Sequence, residues 1–197
     1  MNVQGSRVKK QVTVGMLSSI AYLLIMVDFP LPVLPNFLLI DFSEIPALIA
    51  AIVFGPGAGI MVEAIKNILH YLIQGSATGV PVGEISNFIA GVLFIVPSAY
   101  MFRRFKSMKG LTAGLVLGTV LMAVVMSILN YFVIMPAYVL FLNIPEMSAE
   151  ALQAFVVKGI LPFNIIKGLI ITALLLAVMS KIKTWILTQM KTNYREV

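Results

Sequence analysis

Long apolar runs constrain the fold of this chain more than any other feature. The runs at 12–27 and 110–135 contain no charged residue, and the run at 159–180 contains only Lys167. A helix needs about 20 apolar residues to cross a bilayer, so each run is long enough or nearly so. Apolar residues make up 60% of the chain and charged residues 11%, against about 25% charged in a soluble domain. These runs predict an integral membrane protein and argue against a soluble enzyme, a disordered chain or a fibrous protein.

Breaks between the apolar runs predict a single all-α domain over 1–197 with six transmembrane helices. We expect the helices at about 11–28, 42–55, 57–74, 84–102, 110–135 and 156–187. A long ordered loop containing several prolines joins the first two helices. The second helix has its apolar part only at Ala47–Phe54, which is too short for a core of about 30 Å unless preceding residues add turns.

The distribution of charge predicts the orientation of these helices. Eleven of the fourteen basic residues lie before the first helix, in the 103–109 loop or in the C-terminal tail. Six of the eight acidic residues lie in the loops expected on the opposite side. Because Lys and Arg accumulate on the cytoplasmic side, both termini of this multi-pass protein are predicted to be cytoplasmic. The net charge of +6 is explained by these basic residues, which flank the helices where the chain contacts the lipid bilayer. We therefore expect no nucleic-acid partner.

The residues that common catalytic and metal sites require are scarce. The chain has no cysteine and one histidine, His70, so we expect no metal site and no cofactor. It has no P-loop motif, so it cannot hydrolyse ATP by that route. We therefore predict that the chain is not an enzyme.

Polar side chains within the apolar runs are candidate functional residues, because ionisable groups are costly at membrane depth. One group lies on one face of the third helix and comprises Glu63, Lys66, Asn67 and His70. Glu63 and Lys66 could neutralise each other and hold helices together, or the group could form a proton relay or contact a ligand.

A second group is expected near the outer surface. Asn130 lies late in the fifth helix, and Asn164 and Lys167 lie early in the sixth, at similar depth. Amides and one ammonium suit a neutral polyhydroxylated molecule better than an ion. Lys167 has no acidic partner in its own helix, so it requires a ligand oxygen or a carboxylate from another helix. The proline-rich loop could close over the site and cover it with Phe37, Leu38 and Phe42.

Small residues at four-residue spacing predict close helix contacts. Gly110, Gly114 and Gly118 repeat this spacing on the fifth helix, and Gly15 with Ser19 repeats it on the first. Either set could serve internal packing or form a seam for a partner protein.

Several motifs together resemble the riboflavin-binding S components (RibU type) of energy-coupling factor (ECF) vitamin transporters. The similarity covers nearly the whole chain, and its most specific parts are the first loop and the stretch around Asn164. The motifs are DFPLPVLP at 28–35, DFSEIPA at 41–47, EAIKN at 63–67, QGS at 74–76, GVPVG at 79–83, SILNY at 127–131 and GILPFNIIKG at 159–168.

The resemblance implies a subunit that captures riboflavin or FMN from outside the cell. It implies partners as well, a transmembrane coupling subunit and two ATPase subunits that hydrolyse ATP. The substrate-binding residues that it implies, with Asp41 included from the same loop, are Leu38, Asp41, Ser43, Ala47, Asn130, Asn164 and Lys167. Gly15 and Ser19 stand where the family has an alanine pair that contacts the coupling subunit. The alternatives are an S component for another vitamin and, from a different class, a membrane-embedded enzyme or channel.

Overall fold

The computed structural model describes residues 3–32, 34–35 and 38–195, and side chains for residues 7–190 among these. This part of the chain is almost entirely helical. Its elements are α1 (Val3–Ile25), β1 (Phe29–Pro30), β2 (Leu39–Ile40), α2 (Glu44–Phe54), α3 (Pro56–Gln74), α4 (Val82–Phe105), α5 (Met108–Leu129), α6 (Met135–Leu142), α7 (Ala149–Phe155) and α8 (Leu161–Arg195). Two π-helical segments complete it, π1 (Asn130–Ile134) between α5 and α6 and π2 (Val156–Ile160) between α7 and α8.

The last two helical runs are longer than the sequence predicts, and each contains a proline. Helical structure extends over Met108–Leu142 and from Ala149 into the C-terminal tail. Pro136 and Pro162 each stand at the second residue of the helix that follows a π segment. Proline lacks an N–H and its ring crowds the preceding turn, so a wider π turn at this point lets the helix continue.

Within the part of the chain that the structure describes, three helical runs are long and apolar enough to cross a membrane. These are Val82–Phe105, Met108–Leu142 and Ala149–Met190. The helix α2 is apolar but has 11 residues, which correspond to about 16 Å at 1.5 Å per residue. It is therefore shorter than the hydrocarbon core of about 30 Å.

The short helix α2 lies at the centre of the protein and packs against α1, α3, α4 and α8. Ala47, Leu48 and Ile52 are fully buried. The turn at Gly55, with φ of +100°, folds α3 back directly along α2. At Gly59 a Cβ would lie 2.6 Å from Ala51 Cβ, so glycine is what permits these two helices to approach closely.

The small residues of α5 pack inside the protein, and those of α1 do not. A Cβ at Gly114 would lie 2.7 Å from the Ser98 backbone of α4, and Gly118 is equally close to the Phe94 carbonyl. Gly15 and Ser19 are exposed, and no atom lies within 4 Å of the Cβ position at Gly15. The α5 spacing therefore serves internal packing, while the α1 surface is open.

Two short paired strands lie in the loop between α1 and α2. Phe29 faces Ile40 and Pro30 faces Leu39 in an antiparallel pair. The rings of Phe29 and Phe42 lie 6.0 Å apart, so Phe42 packs within the loop. Phe37, which the sequence suggests as a cover, lies outside the described residues. The pairing brings Leu38 and Asp41 to the end of the helical bundle.

Candidate ligand-binding site

A cavity of about 200 Å³ lies where the first loop meets the start of α4, the segment π1 and the start of α8. Its lining combines apolar and polar side chains. The apolar ones include Leu38, Leu39, Met126, Ile134, Ile160 and Phe163. The polar ones include Asp28, Asp41, Asn67, His70, Glu84, Asn87, Asn130, Tyr138, Asn164 and Lys167. Apolar walls with a few directed polar groups are typical of small-molecule sites.

Five of the seven predicted substrate-binding residues line this cavity: Leu38, Asp41, Asn130, Asn164 and Lys167. The other two, Ser43 and Ala47, are fully buried and do not line it. Ala47 lies in the core of α2, and Ser43 lies behind Asp41. The structure therefore brings together predicted residues from the first loop, π1 and α8.

The two asparagines lie at the π segments. Asn130 is the first residue of π1 and donates to the Met126 carbonyl at 2.8 Å. Asn164 donates to the carbonyl of Ile160, the last residue of π2, at 2.9 Å. Each amide group thus bonds its own helix beside a π turn, a feature often found at functional sites. These bonds also fix which way each amide points.

Lys167 is buried and bonded to two carboxylates from other elements. Its Nζ lies 3.0 Å from Glu44 Oε1 and 3.2 Å from Asp41 Oδ2. Only 3% of the residue is exposed. A buried ammonium requires such partners to offset its lost hydration. The requirement of Lys167 for a partner is therefore met by carboxylates of the first loop and α2.

Lys66 of α3 contacts the first loop as well, at Ser43, whereas Lys167 of α8 contacts it at Asp41. Its Nζ lies 2.9 Å from Glu63 Oε2 and donates to Ser43 Oγ, which in turn bonds Asp41 Oδ1. The Ser43 backbone N–H donates to the same Asp41 oxygen at 2.9 Å. Glu63 and Lys66 thus neutralise each other, one of the two alternatives open at the sequence level. They also belong to a buried network that joins α3, the first loop and α8.

The ionisation of the two aspartates of the first loop differs with their surroundings. Burial alone would raise the pKa of Asp41, but the Lys167 and Lys66 ammonium groups and the bonds from Ser43 hold it below its usual value. At Asp28, partial burial and the nearby Asp41 charge raise the pKa. The lowered pKa keeps Asp41 in its charged carboxylate form, which attracts the ammonium groups of both lysines.

The α3–α4 wall of the cavity was predicted only in part, because Asn67 and His70 were candidates for ligand contact but Glu84 and Asn87 were not. It is formed by the α3 residues Asn67 and His70 and the α4 residues Glu84 and Asn87. His70 Nδ1 lies 3.2 Å from Glu84 Oε1, which joins the two helices. Glu84 and Asn87 are three positions apart in the first turns of α4, so this spacing is the signal that could have found them.

A helical bundle with long apolar runs and a cavity of mixed apolar and polar lining at one end is typical of a membrane-embedded binding protein. The family model for "ECF transporter, substrate-specific component" matches residues 9–179. The chain belongs to this family of transporter subunits, and its members are not enzymes.

Curated relatives and a solved structure agree with this assignment. The chain is 56% identical to "Riboflavin transporter FmnP" of Bacillus subtilis (strain 168), over 91% of this chain and 95% of that protein. It is 43% identical to "Riboflavin transporter RibU" of Staphylococcus aureus (strain TCH60), over 83% and 85% of the two chains. A structure described as "Structure and mechanism of the S component of a bacterial ECF transporter" superposes with a TM-score of 0.77 at 38% identity. It covers 91% of this chain and 98% of that one.

Proposed function

We propose that this chain captures riboflavin at the outer face of a bacterial plasma membrane and supplies it to an ATP-driven ECF importer. The observation that carries the proposal is the mixed apolar and polar cavity at the loop end of the bundle. Relatives at 56% and 43% identity, both named riboflavin transporters, support it.

The cavity suits the chemistry of riboflavin. The isoalloxazine ring is a flat aromatic body that needs apolar walls, here side chains such as Leu38, Ile160 and Phe163. The ribityl chain carries hydroxyl groups that need donors and acceptors, here Asn130, Asn164 and Lys167. Lys167 has three N–H donors, of which one is donated to Asp41 while Glu44 is an ion-pair partner, so a donor remains for the ligand.

The seven predicted residues divide into two roles in this proposal. Leu38, Asp41, Asn130, Asn164 and Lys167 contact the ligand, and the first loop closes over it. Ser43 is a positioning residue, because it holds Asp41 and receives the Lys66 bond. Ala47 keeps α2 close to its neighbours below the site and has no direct contact.

The topology belongs to the proposal as well. Six helices of one domain cross the bilayer with both termini inside, and α2 crosses only together with the residues before it. The cavity then opens outward, because Arg103 and Arg104 lie at the far end of α4 from Glu84. This orientation follows the bias of basic residues to the cytoplasmic side.

Transport requires partners that supply ATP hydrolysis. The exposed surface of α1 around Gly15 and Ser19 is where we place the coupling subunit, since small residues let another helix approach closely. Two ATPase subunits complete the complex. The coupling subunit then reorients the loaded chain, and ATP hydrolysis drives release of the vitamin.

A reconstitution experiment tests the proposal. The purified chain is placed in liposomes alone, or together with a coupling subunit and two ATPase subunits, and uptake of labelled riboflavin is followed. We expect uptake only with the partners and with ATP. Uptake at the same rate by the chain alone would contradict it and would favour a stand-alone channel.

A further inference from the structure

A buried cluster of charged side chains lies behind the first loop. It combines three carboxylates with two ammonium groups, and each residue is at most 3% exposed: Asp41, Glu44, Glu63, Lys66 and Lys167. Lys66 pairs with Glu63, and Lys167 pairs with both Asp41 and Glu44. With all five groups ionised, the cluster would carry a net charge of −1. A buried charge without a counterion is costly, so the charge balance requires one more cation.

Neighbouring helices supply no further cation to this cluster in the described structure. The helix α1 has no charged residue after Lys10. The helix α4 places Gly91 against the Glu63 carboxylate, and its Arg103 donates to the Ile52 carbonyl near the far end of α2. The described acidic residues do not form a group that could hold a metal ion. A proton is therefore the cation that fits the cluster.

The two glutamates are the acids that lack hydrogen-bond donors. Asp41 receives hydrogen bonds from the Ser43 backbone, the Ser43 hydroxyl and Lys167, which suit an ionised carboxylate. In contrast, Glu44 Oε2 and Glu63 Oε1 are buried and have no hydrogen-bond partner in the described structure. A carboxylate requires donors at both oxygens, so this lack favours the protonated form at one of the two glutamates.

We propose that Glu44 and Glu63 together hold one proton, which forms a buried proton-binding site behind the first loop. The proton belongs to the pair, because the two carboxyl groups interact and a negative charge on one disfavours ionisation of the other. Asp41 and Lys167 join this site to the cavity. Loss of the proton should therefore weaken ligand binding, and this consequence alone rests on the proposed function.

Infrared spectroscopy of the full chain in detergent tests for the proton, because a protonated carboxyl group absorbs at a higher frequency than a carboxylate. We expect a protonated-carboxyl band in the wild type at about pH 7, where an ordinary glutamate is ionised. The band should be lost in Glu63→Gln and equally in Glu44→Gln, since either change leaves two carboxylates for two lysines. Glu84→Gln is the matched control, because Glu84 also has a buried oxygen without a partner but lies outside the cluster, and it should keep the band.

Thermal unfolding gives a second readout of the same charge balance. Each single glutamine variant replaces an acid that the cluster can hold in neutral form. The double variant Glu44→Gln with Glu63→Gln leaves one carboxylate for two buried lysines. We expect its unfolding temperature to fall by more than the sum of the two single shifts, because the sites are coupled.

The link to the cavity is tested by riboflavin affinity at alkaline pH. The folded cluster holds a proton that an exposed glutamate does not, so rising pH acts against the closed site. We expect the affinity of the wild type to fall about tenfold between about pH 7 and about pH 10, and that of Glu63→Gln to fall less. His70→Gln should keep the fall, which excludes titration of the histidine in the cavity wall as its cause.

Each outcome bears on a separate claim. A wild type without the band, or a band that persists in Glu44→Gln or in Glu63→Gln, would overturn the proton site. Failure of both single variants to fold would overturn it as well, because an amide should replace a neutral carboxyl group. An equal alkaline fall in Glu63→Gln would overturn the link to binding. Failure of the wild type to bind riboflavin would refute the proposed function and leave the infrared and unfolding tests in force.

Discussion

Lys167 and Asp41 are 126 positions apart in the chain and meet inside the protein, with Nζ of the lysine 3.2 Å from Oδ2 of the aspartate. The contact ties α8 to the loop that precedes α2. Both residues also line the cavity, so the same ion pair joins two distant parts of the chain and lines the candidate site. Substitutions in this network therefore affect stability and ligand binding together.

Lys167→Met tests the double role of this lysine. It leaves Asp41 and Glu44 buried without their cation, which costs about 3–5 kcal/mol of folding free energy. We expect a lower unfolding temperature in detergent and at least about tenfold weaker riboflavin binding. Lys158→Met is the matched control, since Lys158 is exposed just before α8. Equal stability and affinity in both variants would contradict the assigned role.

Ser43→Ala tests the positioning role of a residue that does not line the cavity. It removes the acceptor of the Lys66 bond and the donor to Asp41. We expect a loss of about 1–3 kcal/mol in stability, with weaker riboflavin binding because Asp41 is no longer held. Ser180→Ala, on the exposed surface of α8, serves as the control. Binding that matches the wild type would show that Ser43 has no influence on the site.

Gly91→Ala tests the space that α4 leaves for the buried Glu63 carboxylate. A Cβ at position 91 would collide with that carboxylate and displace it from Lys66. We expect destabilisation of about 1–3 kcal/mol, as for other overpacked sites. Gly57→Ala meets no atom within 4 Å and is expected to be neutral or slightly stabilising. Thermal unfolding of the two variants compares them, and similar losses would contradict the packing described.

Much of the helical architecture can be predicted from the sequence, because long apolar runs indicate helices and the polar or proline-rich breaks between them indicate loops. The ends are harder to predict: Pro136 suggests a helix terminus, yet the π turn before it lets the helix continue. Asn130, Asn164 and Lys167 could be grouped from depth alone. The partners of Lys167 could not be predicted, because Asp41 and Glu44 are brought next to it only by the folding of the first loop against α8.

The α4 residues of the α3–α4 wall, Glu84 and Asn87, were not predicted for a related reason. When charges are assigned to the two sides of the membrane, Glu84 is counted as an acidic residue of an outer loop. Its position at the cavity follows only from the packing of α3 against α4, which places His70 next to Glu84. Ser43 lies behind Asp41 and does not line the cavity, and a sequence motif alone cannot tell a lining residue from the one behind it.

Acidification should expose the contribution of Asp41, which lies in the loop outside the membrane-spanning helices. Its pKa in the folded chain is below the ordinary value of 3.8, so its stabilising effect is present above that value. The effect is lost as pH falls through the lowered folded pKa. We expect the unfolding temperature of the wild type to fall below about pH 4, and Asp41→Asn to show a smaller fall. The same acid response in both chains would contradict this account.

Gly15→Leu tests the exposed surface of α1. No atom lies within 4 Å of the Cβ position, so the isolated chain should keep its stability and its riboflavin affinity. Assembly with the coupling subunit should be reduced, because a bulky side chain prevents close helix approach. Co-purification with the coupling subunit measures this, and Val116→Leu, on the exposed surface of α5, is the control. Full assembly of Gly15→Leu would place the partner elsewhere.

The most direct test of the central claim is the absorption spectrum of the chain purified in detergent from cells grown in rich medium. The account predicts a flavin band in near-stoichiometric amount, and competition at the site by added riboflavin but not by thiamine or biotin. A colourless protein that also fails to bind added riboflavin would contradict the flavin assignment and favour an S component for another vitamin.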